Sequence, residues 1–128
     1  MTDSPTLYER VGGRPFFEAL TVRFYKIVAD DPVLSRLYPS DPEELEAARR
    51  HLELFLVQYW GGPDDYNQTR GHPRLRMRHA PFVIGPAERD AWVAAMSDAV
   101  KAGSLSRLDE MQMLSYLTTA AAHLVNQP

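Results

Sequence analysis

The chain has 128 residues, of which 45% are hydrophobic and 24% are charged, and its formal net charge is -3 at pH 7. This length favours a single domain over residues 1–128, and the absence of cysteine excludes disulfides, thiolate metal sites and iron–sulfur clusters. The net charge is slightly negative and the chain has no long basic block, which argues against nucleic-acid binding.

The N-terminus, MTDSPTLYERVGG, has an acidic start and no apolar core segment, so it does not resemble a signal peptide. No apolar run approaches the roughly 20 residues that a membrane helix needs. We therefore expect a cytoplasmic protein with no membrane partner. Residues 1–5 are expected to form a disordered or extended tail.

The first third of the chain is predicted to hold a short helix, a long helix and a turn. The short helix covers residues 6–11 and ends at a pair of glycines, which permit a sharp reversal. Pro15 begins the long helix, and Asp-Asp-Pro at 30–32 breaks it. Tyr25 lies beside the apolar side chains that recur along this helix at helical spacing, and Tyr38 lies in the turn that follows. The apolar stripe consists of Phe17, Leu20, Phe24, Ile27 and Val28.

Residues 41–62 predict a second long helix. Asp41 can cap its first turn, and Pro42 fits the first helical position. The sequence GGP at 61–63 ends it. One face of this helix is apolar and holds Leu45, Ala48, Leu52, Phe55, Leu56 and Tyr59. The next residues, 64–71, are polar, and we predict a loop there.

Residues 71–82, with the sequence GHPRLRMRHAPF, alternate arginines with apolar residues and end near a histidine. Proline suits the first turn of a helix, so we predict one short helix from Pro73 to His79, closed by Pro81. This helix places an imidazole at a fixed helix end, with guanidinium groups close by. Haem iron is held by such a histidine, and haem propionates need cations at the rim. The alternative is a basic surface turn with a solvated histidine.

Two further helices complete the predicted fold. Pro86 begins one of them, and Gly103 with Ser104 separates it from the last. The buried side of the first holds Trp92, Val93, Met96, Ala99 and Val100. That of the second holds Leu117, Ala121, Leu124 and Val125, with Met113 or Leu114. No convincing pair of strands is present, so the predicted class is all-α, with four substantial helices and two or three short ones.

Several aromatic residues with polar tips lie on or beside the inner faces of these helices, namely Tyr25, Tyr38, Tyr59, Trp92 and Tyr116. Burying a hydroxyl or an indole NH without a partner costs about 1–3 kcal/mol. A plain core would therefore favour leucine or phenylalanine. A pocket for a small polar ligand would instead use such donors.

Six motifs make the chain resemble the truncated haemoglobins, specifically the bacterial group II, or O type. They are TLYERVGG at 6–13, FY at 24–25, LYP at 37–39, QYWGGP at 58–63, GHPRLRMRHAPF at 71–82 and ERDAW at 88–92. The similarity extends from Leu7 to about Asn126. It implies an all-α shortened globin, a two-over-two helical sandwich enclosing haem b.

The resemblance also implies roles for individual residues. His79 matches the iron ligand, and its second ring nitrogen is expected to donate to a backbone carbonyl. Tyr25, Tyr38 and Trp92 match the distal residues that stabilise a bound ligand. The expected cofactor-binding residues are Ala48, His51, Leu52, Phe55, Met77, Arg78, Phe82 and Met96.

Some of these assignments compete with others. Arg76 and Arg78 occupy alternate positions on a helix and cannot face the same way, so we favour Arg78 for a propionate contact. His51 stands where similar proteins often carry arginine, which makes a propionate contact there weaker and pH-dependent.

His72 precedes Pro73, outside the predicted helix, and His123 lies near the chain end. Both are weak rivals for the iron. Ala48 replaces a polar gate, and two alternatives follow: an entry path for small ligands, or a path blocked by Trp92.

The predicted function is to bind dioxygen and other diatomic ligands, such as CO or NO, and to release them slowly. Dioxygen gains partial negative charge on ferrous iron, and each aligned donor stabilises it by about 1.5–3 kcal/mol. Slow release is poor for oxygen transport.

The alternative function is that of a redox enzyme. It would use the same haem for peroxidase-like turnover or NO dioxygenation, with an unidentified reductant. The same residues serve both hypotheses, so the sequence does not separate them. A helical interaction module without a cofactor is a third hypothesis, and a homodimer is compatible with all three.

Overall fold

The computed structural model describes residues 4–127, and within this range the chain forms seven α-helices, one 3₁₀ turn and no strand. The helices are α1 (Leu7–Arg10), α2 (Arg14–Asp30), α3 (Pro42–Tyr59), α4 (Asp65–Arg70), α5 (Leu75–His79), α6 (Pro86–Lys101) and α7 (Arg107–Leu124), and the 3₁₀ turn is Ser35–Leu37. The predicted all-α class is confirmed. Of the predicted tail, residues 1–3 lie outside the described range, and Ser4 and Pro5 are exposed.

The four long helices enclose one hydrophobic core. Helix α2 packs against both α3 and α6, and α6 packs against α7. The predicted apolar stripe of α2 is confirmed, because four of its five members are at most 1% exposed. The largest side chains of this core are Phe17, Leu20, Phe24, Leu34, Leu56, Met96 and Met113. Within the described range, no helix combines the length and the apolar character needed to cross a membrane.

A pair of glycines lets the end of α3 lie directly against the start of α1. Gly61 has a φ of 102°, and a Cβ there would lie 2.6 Å from Thr6 Cγ2. A Cβ on Gly62 would lie 2.6 Å from Val57 Cγ1. The resulting close approach allows the Tyr8 amide to donate to the Trp60 carbonyl at 3.0 Å. The end of α3 predicted at this GGP sequence is thus confirmed.

Two local predictions in the middle of the chain are wrong. Residues 64–71, predicted as a loop, contain helix α4. Contacts with α3 stabilise it, because the Asn67 amide donates to Gln58 Oε1 at 2.9 Å and Tyr66 is only 4% exposed. The helix predicted to start at Pro73 begins instead at Leu75, because Arg74 adopts a left-handed conformation with φ 45°.

The C-terminal segment is bound to the loop that follows α5. Asn126 donates through Nδ2 to the Phe82 carbonyl at 2.8 Å and accepts from the Ile84 amide at 2.9 Å. Its own amide donates to the Ile84 carbonyl at 2.8 Å. The loop beside His79 is therefore held by residues more than forty positions later in the chain.

Candidate functional site

His79 is the last residue of α5, and its ring is fixed by its own helix. Nδ1 lies 2.6 Å from the Leu75 carbonyl oxygen, one turn earlier, which confirms the hydrogen bond predicted for this ring. A carbonyl can only accept, so Nδ1 donates and carries a proton, which leaves Nε2 as the nitrogen that can bind a metal through its lone pair. The ring is thereby set up to bind a metal through Nε2.

The described residues contain no group of three or more histidine, aspartate and glutamate side chains that could hold a metal ion. A metal bound by His79 must therefore bring most of its other ligands with it. Iron in a tetrapyrrole does this, because the macrocycle supplies four nitrogens. The donor set accordingly fits haem better than a free metal ion.

Several of the apolar residues predicted to bind the cofactor are not buried, and two of them are close to His79 in the chain. Met77 is 59% exposed and Phe82 is 44% exposed, and the Phe82 ring centroid lies 6.3 Å from that of His79. Three more of the predicted cofactor-binding residues, Ala48, Leu52 and Phe55, are half-buried on α3. Large apolar groups left open to water in this way are typical of a ligand site.

Met96 differs from the other predicted cofactor-binding residues. It is only 1% exposed and belongs to the core cluster that also contains Phe24 and Leu56. Its burial is complete in the protein chain alone. This burial favours a packing role in the core for Met96 over direct contact with the cofactor.

The structure brings the three predicted distal residues together. The ring centroids of Tyr25 and Tyr38 are 5.3 Å apart in an edge-to-face arrangement. Trp92 packs edge-to-face on Phe24 at 5.6 Å, and Phe24 packs on Tyr25 at 5.2 Å. Residues from α2, the turn after it and α6 therefore meet in one aromatic cluster, which we call the distal cluster (Phe24, Tyr25, Tyr38 and Trp92).

Both phenols of the distal cluster remain protonated at neutral pH. Burial raises the pKa of Tyr38 to about 12, although the neighbouring Trp92 side chain acts in the opposite direction. Burial, followed by the proximity of Tyr38, raises the pKa of Tyr25 well above its usual value. Each hydroxyl can therefore donate a hydrogen bond to a ligand that carries negative charge.

Two basic residues meet between α3 and α4, and we call them the cationic cluster (His51 on α3 and Arg70 on α4). Arg70 Nη1 is 3.1 Å from His51 Nε2, and the Arg70 guanidinium lies 5.8 Å above the centroid of the Tyr66 ring. Burial, together with Arg70, Arg78 and Arg50, lowers the pKa of His51. His51 is therefore neutral at pH 7, and its Nε2 accepts the hydrogen bond from Arg70.

The cationic cluster has an unused donor. Arg70 Nε is buried and has no hydrogen-bond partner among residues 4–127. Such orphaned donors are rare and call for an explanation. A carboxylate would satisfy the donor and offset the local positive charge. The haem propionates are carboxylates, so this cluster also fits that cofactor.

Arg78, the arginine predicted to contact a propionate, is largely engaged elsewhere. Its Nε donates to the Pro73 carbonyl at 2.8 Å and its Nη2 to the Arg70 carbonyl at 2.9 Å. These bonds fix the segment between α4 and α5. Arg70 was not among the predicted cofactor-binding residues, because residues 64–71 were predicted to form a loop. The spacing of Tyr66 and Arg70 by four residues, which on a helix places a cation over an aromatic ring, was the available signal.

A buried carboxylate lies on α3, on the side facing α2. Glu53 is 2% exposed and pairs with Arg49 Nη1 and with Arg14 Nε, each at 2.7 Å. Arg49 Nη1 also donates to Thr21 Oγ1 at 2.9 Å. Thr21 precedes Tyr25 by one turn, so these ionic contacts hold the two helices together behind the distal cluster. This group was not predicted from the sequence.

The chain has clear similarity to known globins. Residues 6–126 match the family model described as bacterial-like globin. Over 120 residues the chain is 38% identical to the group 2 truncated hemoglobin YjbI of Bacillus subtilis, covering 94% of this chain and 88% of that protein.

Solved structures agree with this match and confirm the predicted shortened-globin fold. The structure of a thermostable hemoglobin from Thermobifida fusca gives a TM-score of 0.92 at 51% identity, covering 97% of this chain and 99% of that one. The group II truncated hemoglobin from Bacillus anthracis gives a TM-score of 0.94 at 35% identity, covering 99% and 95% of the two chains.

Proposed function

The chain belongs to the bacterial-like globin family, within its group II truncated haemoglobins, and from this we propose that it binds diatomic gases at a haem b held by His79. When bound, the haem supplies a ferrous iron at which dioxygen, CO and NO can coordinate. The observation that carries the assignment of His79 is its ring geometry. The bond from Nδ1 to the Leu75 carbonyl leaves Nε2 free at the end of α5.

We propose that two groups of side chains hold the cofactor. Ala48, Leu52, Phe55, Met77 and Phe82 cover its apolar surface, and Met96 supports them from within the core. The cationic cluster receives the propionates through Arg70 and His51. Arg78 contributes mainly by fixing the segment between α4 and α5 through its bonds to the Pro73 and Arg70 carbonyls. Residues 1–128 would act as one domain.

We further propose that Tyr25, Tyr38 and Trp92 slow the release of the gas. Their hydroxyl and indole groups are donors in a site shielded from water, and each aligned donor can stabilise a negatively polarised ligand by about 1.5–3 kcal/mol. Since about 1.4 kcal/mol corresponds to a tenfold change, two such bonds slow escape by a few powers of ten. Such a site retains its ligand and is poorly suited to carrying it between locations.

Replacing His79 by glycine tests the ligand assignment. We expect His79→Gly to lose the Soret absorption of bound haem, because no other described histidine has the same geometry at this site. Added imidazole should restore the absorption by occupying the space of the missing ring. His72→Gly, the same change at an exposed position of the preceding loop, is the control and should bind haem normally. A normal five-coordinate ferrous spectrum in His79→Gly without imidazole would contradict the assignment.

A further inference from the structure

Two tyrosines stack on each other where α3 ends. Tyr59 is the last residue of α3 and is 49% exposed. Its ring lies on that of Tyr116 in α7, with centroids 3.8 Å apart and planes inclined by 21°. The Trp60 ring meets both edge-on, with centroid distances of 5.4 and 5.5 Å. We call Tyr59 and Tyr116 the tyrosine pair.

The tyrosine pair is connected to the proposed haem face through one aromatic residue. Phe55 lies one turn before Tyr59 on α3, and their ring centroids are 6.2 Å apart. Phe55 is one of the half-buried residues proposed to cover the cofactor. A row of closely spaced aromatic rings therefore leads from that face to the surface of the protein.

The tyrosine pair carries two hydroxyl groups that packing alone does not require. Two phenylalanines would bury similar apolar area without two hydroxyls to accommodate. Burial, and then the proximity of Tyr59, raises the pKa of Tyr116 to about 12, so that its phenol is protonated at neutral pH. A phenol gives up an electron readily if its proton can leave at the same time. Because Tyr59 is half exposed, a proton released from its hydroxyl can pass directly to water.

We propose that the tyrosine pair is an oxidation site, which supplies electrons when a peroxide is reduced at the haem and becomes covalently joined in doing so. The inference rests on the proposed haem site for its source of oxidising power. Hydrogen peroxide accepts two electrons and two protons and leaves as two waters. Each phenol loses one electron and its hydroxyl proton. A carbon–carbon bond then forms between the ring positions next to the two hydroxyls, and the hydrogen on each of those carbons moves to the oxygen.

The contact distance makes this coupling favourable within one molecule. The rings already lie in van der Waals contact, so the two oxidised rings need not diffuse together. The site also places the final oxidised groups at the surface, away from the distal cluster. Small phenolic or other one-electron donors in solution can therefore reach Tyr59 and reduce it before the bond forms.

The test uses the full-length, haem-loaded protein and hydrogen peroxide. We expect dityrosine fluorescence, an intact mass lower by two hydrogens, and a cross-linked peptide containing Tyr59 and Tyr116. Tyr59→Phe and Tyr116→Phe should each abolish the fluorescence. Tyr8→Phe is the matched control, because the Tyr8 ring stacks on Phe17, at 5.9 Å, and on no other tyrosine among the described residues, so the signal should stay unchanged.

A second oxidant separates this inference from the proposed function. A light-activated ruthenium complex with persulfate oxidises tyrosines without haem and should produce the same cross-linked peptide. If haem fails to bind, its absorption shows this before peroxide is added, and the light reaction still tests the tyrosine pair. Unchanged fluorescence in Tyr59→Phe, a cross-link confined to Tyr25 and Tyr38, or cross-linking by light but not by peroxide in the haem-loaded protein would overturn the proposal.

Discussion

Trp92 contributes an indole NH to the distal cluster, and replacing it by phenylalanine removes that donor while keeping an aromatic ring. We expect Trp92→Phe to speed oxygen dissociation by about tenfold or more, since a lost donor is worth about 1.5–3 kcal/mol. Stopped-flow displacement of oxygen by CO measures this rate. Trp60→Phe is the control, because it removes an indole NH at the far end of α3. An unchanged rate in Trp92→Phe would remove this residue from the proposed donors.

His51 should make the stability of the haem-free protein depend on pH. Its pKa is lowered in the folded state by burial and by Arg70, Arg78 and Arg50, so the unfolded chain binds this proton more readily. The free energy of unfolding therefore falls as the pH drops through the range below about 6.5. At higher pH His51 is neutral in both states and the penalty disappears.

The variant His51→Gln should reduce this loss of stability, because glutamine cannot acquire the proton. Denaturant unfolding of the haem-free protein between about pH 7 and pH 5 measures the difference from the unmodified chain. His123→Gln, on the exposed last turn of α7, serves as the control. Equal pH dependence in the unmodified chain and in His51→Gln would show that His51 does not carry the effect.

At the scale of single elements, local sequence signals explain the four long helices and α1, and fail for α4 and for the start of α5. The predicted cap is confirmed at Asp41, which accepts from the Glu44 amide at 3.0 Å. Helix caps and apolar periodicity depend on residues only a few positions apart, so both can be recognised in the sequence alone. Helix α4 instead depends on contacts of Tyr66 and Asn67 with α3, and the start of α5 depends on the left-handed backbone of Arg74. The local signal for α4 is limited to the four-residue spacing of Tyr66 and Arg70, and the backbone of Arg74 has no local signature.

The contact between α2 and α3 should depend strongly on Glu53. Glu53→Gln removes a buried charge that faces two arginines, and Arg49 is itself only 12% exposed. We expect a loss of about 2–4 kcal/mol in the free energy of unfolding, because the largely buried Arg49 guanidinium loses an anionic partner and the polar group at position 53 stays buried. Chemical denaturation measures it. Glu46→Gln alters a half-exposed partner of the same Arg49 and should cost less than about 1 kcal/mol. Equal costs for the two variants would show that the burial of Glu53 contributes nothing.

At the scale of the whole molecule, the sequence suggests candidate site residues more readily than the contacts that hold them in place. His79 and the distal residues carry side chains whose chemistry suggests a role, and a family motif surrounds each of them. Arg70, Glu53 and Asn126 depend on partners far away in the chain, so their positions become evident only once the helices are packed. The hydrogen bonds of Asn126 to Phe82 and Ile84 span more than forty residues.

The two sides of the molecule differ in how firmly they are held. Helices α2, α3 and α6 share a continuous core, whereas α5 has no buried side chain and is secured by Arg78, by α7 and by the bonds of Asn126 beyond it. We therefore expect a newly made chain without its cofactor to expose residues 71–83 to proteases, and the bound cofactor to protect them. We expect the lifetime of the protein to follow the supply of tetrapyrrole in the cell.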